Sequence, residues 1–152
     1  MSPTDEMPAE RANRIADAVE DVERNVSRLR DRQSLSRDEY KAEGNHDLRD
    51  ATERKFEKLA EAILDIAEAI LKQEDETVPS RRKETIAAVE RVGIIDSELS
   101  DRLQEAIEFR DVLSQTYGPI VNDDIVYDSL QNALERYVEF VEAVHDYLSS
   151  SS

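Results

Sequence analysis

From Asp47 to Gln73 the chain contains neither glycine nor proline, and Leu48, Thr52, Phe56, Leu59, Ile63, Ile66 and Ile70 recur at steps of three and four. Residues at that spacing share one face of an α-helix. Ala60, Ala62, Leu64, Ala67, Ala69 and Leu71 widen the stripe. A helix apolar over so much of its circumference must be covered on several sides, so it belongs at the centre of a bundle.

The rest of the chain follows the same period. After Pro8, a favourable first-turn residue, Ile15, Val19, Val22, Val26 and Leu29 form a narrow stripe on a charged helix. Val22, Val26 and Leu29 suit an intramolecular core or a seam between two copies. Ser36 and Glu39 make a capping-box pattern in the weaker segment from Ser34 to Glu43, a short helix or structured loop that Gly44 can end. Thr77-Val78-Pro79-Ser80 breaks the chain, with Ser80 the expected N-cap of a short helix running to Arg91 and stopped by Gly93. Asp96 or Ser97 opens the next helix, which carries Leu99, Leu103, Ala106 and Ile107. Asn122-Asp123-Asp124 then starts one last helix bearing Val126, Leu130, Leu134, Tyr137, Val141, Val144 and Leu148. With no alternating strand pattern, and too few glycines and prolines for the turns of an all-β fold (three and four), the expected fold is all-α. It is an antiparallel bundle of four main helices with one or two short ones. Residues 1–148 are read as a single domain and the serines at 149–152 as a flexible tail.

Charge narrows the function classes. Thirty-six acidic residues against twenty basic ones leave a net charge of −16, and the basic residues are fifteen arginines to five lysines. Such self-repulsion is screened within about 3 Å at 1 M salt. An acidic, lysine-poor surface is similar to that of proteins from salt-loving archaea. It argues against broad, non-specific phosphate binding, although a local arginine cleft remains compatible with it. The absence of cysteine removes disulfides, thiolate metal sites and thiol nucleophiles. The N-terminus lacks a basic-then-apolar leader, and charges interrupt the most apolar stretch, Leu59 to Leu71. A soluble, cytoplasmic protein without membrane association is expected.

One constellation carries chemistry. Residues 109–118 read Phe-Arg-Asp-Val-Leu-Ser-Gln-Thr-Tyr-Gly, followed by Pro119. Arg110 and Tyr117 are seven apart and share a helix face; Gln115, five beyond Arg110, lies about 140° around an ideal helix. Gln115 approaches Arg110 if the last turn loosens, as Gly118-Pro119 would allow. A guanidinium there suits phosphate, its donors held in a planar fork. Read singly, these residues equally suit a solvated arginine, a surface glutamine and a half-buried tyrosine. Arg81-Arg82-Lys83 is the densest basic run; it could touch RNA or an acidic partner, but a solvated helical face explains it more simply. Asp123-Asp124 is accounted for by first-turn acids without a metal. His46 and His145 read as exposed helix or loop residues.

Taken together, residues 49–144 resemble the HEPN superfamily, specifically the HepT-like toxins of HepT–MNT (type VII) toxin–antitoxin modules. Their pattern is Arg, four residues, His, one residue, Tyr; here it reads Arg110, four residues, Gln115, Thr116, Tyr117. Supporting similarity lies in Ala51-Thr52-Glu53-Arg54-Lys55-Phe56, Val92-Gly93-Ile94-Ile95 and Asn122-Asp123-Asp124-Ile125-Val126-Tyr127. The resemblance implies a homodimeric, metal-independent endoribonuclease with no cofactor, whose two motifs face one another across a cleft. Arg110 would hold the scissile phosphate, and the residue at position 115 would shuttle protons for attack by the ribose 2′-hydroxyl. Tyr117 would accept AMP from the MNT-type nucleotidyltransferase antitoxin.

Two residues depart from the pattern. Gln115 stands where the family has histidine, and a neutral amide cannot act as a general base. Asp111 replaces a frequent asparagine and sets a negative charge beside the phosphate arginine. RNA cleavage is therefore expected to be weakened or lost. The alternative is a non-catalytic interaction protein that binds the antitoxin, RNA or a paralogue. Natural loss and deliberate disarming of a toxin would leave the same glutamine, and the genomic sequence separates them.

Overall fold

The structure, a computed structural model, describes residues 7–114 and 123–150. Its helices are α1 (Ala9–Asp31), α2 (Arg37–Lys41), α3 (His46–Gln73), α4 (Arg82–Arg91), α5 (Ser97–Ser114), α6 (Asp123–Asn132) and α7 (Glu135–Ser149), and no strand occurs among the described residues. The all-α bundle is as expected, with α1, α3, α5 and α7 as its long members. The central position of α3 also holds: it packs against α1 along most of its length and touches α2, α4, α5 and α7. Phe56, Leu59, Ala60, Ile63, Ile66, Ala67, Ile70 and Leu71 are all buried to 1 % exposure or less, so both the stripe and its widening residues are core.

The stripe of α1 belongs to that same core. Val22, Val26 and Leu29 are buried against α3 and α7 within one chain, which leaves none of them for a seam between copies.

Three boundaries differ from the sequence expectation. Ser80 does not cap α4; extended Arg81 takes that position without a side-chain cap, and its carbonyl accepts from the Thr85 amide at 3.1 Å. The first turn of α4 is tied instead to α5, by Arg82 to Asp111 and Lys83 to Glu108. Gly44 does not end α2: Ala42 leaves the helical region first (ψ 143°), and Gly44 lies in a 3-10 turn over Glu43–Asn45 that feeds α3.

The largest difference is in the last helix, which is two. The Tyr137 amide donates to Leu134 three residues back, a tightened turn with no glycine or proline to announce it. Tertiary contacts account for the break. α7 lies on α1 and α5, whereas α6 packs on α2. The connection from α1 holds α6 there: Gln33 donates to the Leu130 carbonyl, Gln131 to the Gln33 carbonyl, and the Tyr127 hydroxyl to the Leu35 carbonyl.

Other signals are used as expected. The Ser36–Glu39 capping box forms in full. Asp96 Oδ1 accepts from the Leu99 amide at 2.8 Å and so caps α5. Gly93 adopts φ +87°, the left-handed conformation that ends α4 at no steric cost.

Candidate functional site

Arg110 lies on the last described turn of α5. The preceding Phe109 sets the orientation of that turn, its ring meeting Phe56 of α3 edge-on at 5.2 Å between centroids and 78° between planes. Leu113 is buried on the same helix. The Arg110 side chain is only 17 % exposed. Its Nη2 lies 3.4 Å from Glu61 Oε1 of α3 and its Nη1 3.3 Å from Asp111 Oδ1. Its Nε is buried without a hydrogen-bond partner among the described residues. Both pairs are long for charge-assisted bonds, and one donor is idle. A guanidinium so placed, partly out of water and loosely held, can exchange a carboxylate for a phosphate.

Asp111 is also the carboxylate of a second arginine: its Oδ1 lies 3.2 Å from Arg82 Nη1 of α4. The charge expected to repel phosphate is thus shared between two guanidiniums. Sequence reasoning missed Glu61 altogether, and it singled out Arg82 only within a basic run, without its link to Asp111. They lie 49 and 29 residues from the positions they pair with, and no local spacing signals such a contact. Gln115 and Tyr117, with the Gly118-Pro119 stop, lie outside the described residues.

Beyond this segment the chain returns as α6, whose first turn is clamped to α2. Arg37 pairs with Asp124 at 2.9 Å and Asp128 at 2.6 Å, and Lys41 pairs with Asp124 at 3.1 Å. Arg37 also lies over the Tyr127 ring, 4.8 Å from its centroid. Hydrogen bonds from Arg37 and Lys41 hold the Asp124 carboxyl below its usual range. Asp123 lies 3.6 Å from Arg49, which donates to the carbonyls of Tyr40 and Ala42. The acids at the start of α6 are therefore bound to cations. Burial, reinforced by Asp50 and Asp123, pushes the Glu53 carboxyl up. Burial likewise raises the Tyr40 hydroxyl, which has no hydrogen-bond partner among the described residues.

Neither histidine reaches Arg110. His46 pairs with Asp50 at 3.4 Å on exposed surface, and His145 lines a groove between α1 and α7 with Val22, Val26 and Val141.

Residues 15–144 match the family described as ribonuclease HepT-like. The chain belongs to that family. Among curated proteins, this HepT-like chain is similar to the mRNA nuclease HepT of Shewanella oneidensis, 26% identical over 97 residues that span 64% of this chain and 72% of the relative. Among solved structures it resembles a tri-AMPylated Shewanella oneidensis HEPN toxin in complex with MNT antitoxin. The TM-score is 0.77 at 22% identity, over 87% of this chain and 96% of the other. A toxin–antitoxin structure with AMP-PNP superposes at a TM-score of 0.79 and 21% identity, covering 88% of this chain and 98% of that one. The cytosolic protein YutE of Bacillus subtilis, of unknown function, shares the fold at a TM-score of 0.76 and 17% identity, over 91% of each chain. At these identities the structural likeness establishes the HEPN-like fold. No helix among the described residues is long and apolar enough to cross a membrane.

Proposed function

We propose that this HepT-like chain is the toxin half of a toxin–antitoxin module, an RNA endonuclease scaffold in which proton transfer has been weakened. Membership of a ribonuclease family supports the reaction class. The placement of Arg110 carries the site: a little-exposed guanidinium, loosely paired, five residues before the position that should hold the base. In the reaction, the ribose 2′-oxygen attacks phosphorus and the bond to the 5′-oxygen breaks, leaving a cyclic phosphate. The 2′-hydroxyl proton must leave and the 5′-oxygen must gain one. Arg110 neutralises charge on the phosphate. Gln115 can hydrogen-bond to an oxygen there but cannot carry the proton.

Two features favour assembly at this end of the bundle. Val112 and Ile125, the exposed large hydrophobics among the described residues, are 56 % and 53 % exposed. They stand on either side of residues 115–122 and suit a homodimer that brings two Arg110 side chains to one cleft. The partner proposed for Tyr117 is an MNT-type nucleotidyltransferase that transfers AMP to its hydroxyl, as AMPylation of the Shewanella oneidensis toxin suggests. The proposed setting is the cytoplasm of a salt-adapted cell.

Incubating the dimer and its Gln115→His variant with RNA in high salt tests the reading. The histidine variant is expected to cut about 10²–10⁴-fold faster, the usual worth of general acid–base catalysis. Equal, fast cutting by both would refute the role given to position 115. Gln115 also favours a second reading, a binder that does not cut. Tight RNA or antitoxin binding, with no cleavage by either form, would establish it.

A further inference from the structure

The densest cationic run in this acidic chain is exposed, and it borders an open groove. Arg81, Arg82 and Lys83 line a cavity of about 550 Å³ together with Glu84, Gln104 and Asp111. Asp111 connects this cavity to the candidate site. Its Oδ1 contacts Nη1 of Arg82 at 3.2 Å and Nη1 of Arg110 at 3.3 Å. The two guanidiniums are therefore no further apart than those two contacts laid end to end, a span that neighbouring phosphates of one strand can bridge. The cavity also has donors to spare. Arg82 commits one of its five N–H groups to Asp111, Lys83 pairs with Glu108 alone among the described residues, and the Arg81 side chain makes no ion pair among them. Half-exposed pairs of this kind are weakly held and readily exchanged for phosphate. The backbone that carries these cations is fixed in place, because Thr85, Ile86, Ala88 and Val89 anchor α4 in the core.

We infer that this cavity is a second phosphate-binding subsite, which takes the backbone of a single-stranded RNA next to the phosphate held by Arg110. The inference rests on the proposed role of Arg110. In this arrangement Asp111 is a positioning residue that sets the two arginines in register. Backbone phosphate is the fitting ligand because, among the described residues, the cavity offers cationic donors and an amide but no aromatic platform for a base.

The test uses the full chain and a fluorescent 2′-O-methyl RNA oligonucleotide, whose blocked 2′-oxygen prevents cleavage during binding. Affinity is read by anisotropy across a salt series for the native protein, Arg81→Ala/Lys83→Ala, Glu108→Gln and Arg110→Ala. Loss of two phosphate contacts should make the slope of log affinity against log salt shallower by about 1.4. The native advantage should then shrink about sevenfold for each fourfold rise in salt. Glu108→Gln, which frees Lys83, should bind more tightly than native. A double variant with the native slope, beside an Arg110→Ala variant that has lost affinity, would overturn the subsite and leave the role of Arg110 standing. A shallower slope in the double variant with Arg110→Ala unchanged would keep the cavity as an RNA site and refute Arg110. Absence of RNA binding by the native protein would overturn both. Unchanged RNA binding together with lost binding of the nucleotidyltransferase would assign the cavity to the protein partner and overturn the inference.

Discussion

Phe56 connects the core to the candidate site, and truncating it should be costly in a defined way. Its ring is 1 % exposed and meets Phe109 edge-on at 5.2 Å, one residue before Arg110. Phe→Ala in a core costs about 3–5 kcal/mol, the sum of lost transfer energy and the cavity left behind. The upper part of that range is expected, because Leu59, Ala60 and Ile63 on the same helix are fully buried and cannot collapse into the space. For a chain of this size each kcal/mol moves Tm by about 2–4 °C, so a loss of about 4–5 kcal/mol should make Phe56→Ala melt about 8–20 °C below the native protein. Phe56→Leu keeps most of the volume and loses the ring edge, worth about 0.5–1.5 kcal/mol. It should melt only a few degrees lower. Thermal circular dichroism at fixed salt and fixed protein concentration reads both, since self-association would make Tm concentration-dependent. At a temperature where it is fully folded, Phe56→Leu should also bind RNA more weakly than native, because Phe109 orients the turn that carries Arg110. A loss below about 1 kcal/mol for the alanine variant would refute the core assignment. Native RNA affinity in the leucine variant would refute the link to Arg110.

Two further outcomes are expected. Burial, with Asp50 and Asp123 nearby, raises the Glu53 carboxyl, so the folded state holds that proton more tightly than the unfolded chain does. Stability contributed by the protonated group is therefore complete below its ordinary value and is lost as pH rises through the raised folded value. Glu53→Gln should accordingly melt higher than native at neutral pH, and the gain should vanish on acidification below the ordinary carboxylate range. A gain that persisted there would disprove the titration argument. Gly93→Ala should cost about 1–2 kcal/mol, the backbone penalty of a left-handed residue with a side chain. Its added Cβ would meet no atom within 4 Å at φ +87°, so no clash adds to the cost. A neutral result in chemical denaturation would show that the left-handed turn is not required.

The long helices were legible because their signal is local. The stripe from Leu48 to Ile70 and the one from Ile15 to Leu29 repeat at the helical period, and both proved to be core. The capping box at Ser36 and the left-handed Gly93 were legible for the same reason, since each acts within a few residues. The break between α6 and α7 was not. Leu130, Leu134 and Tyr137 keep the apolar period straight through it, and all three are buried, so the pattern reads as one helix. Its cause is remote: α2 and the chain after α1 hold α6 in a direction that α7 does not follow. Helix starts were intermediate. Asp96 caps as its type suggests, whereas Ser80 is passed over in favour of a start tied to α5 by Arg82 and Lys83.

The amino-acid order by itself determined the all-α class, the central helix, the acidic surface and the residue types of the motif, including the glutamine at position 115. Each of these follows from composition or from a period of three to four residues. Tertiary structure alone decided what surrounds Arg110. Glu61 comes from α3, Arg82 from α4, and Asp111 turns from a repulsive neighbour into the shared partner of two arginines. The physical reason is range. Backbone hydrogen bonding and the hydrophobic stripe act over one helical turn and are written in the local spacing. Which charges meet is set by the packing of helices far apart in the chain, 49 residues for Glu61 and Arg110, and that contact exists only once the core between them has formed.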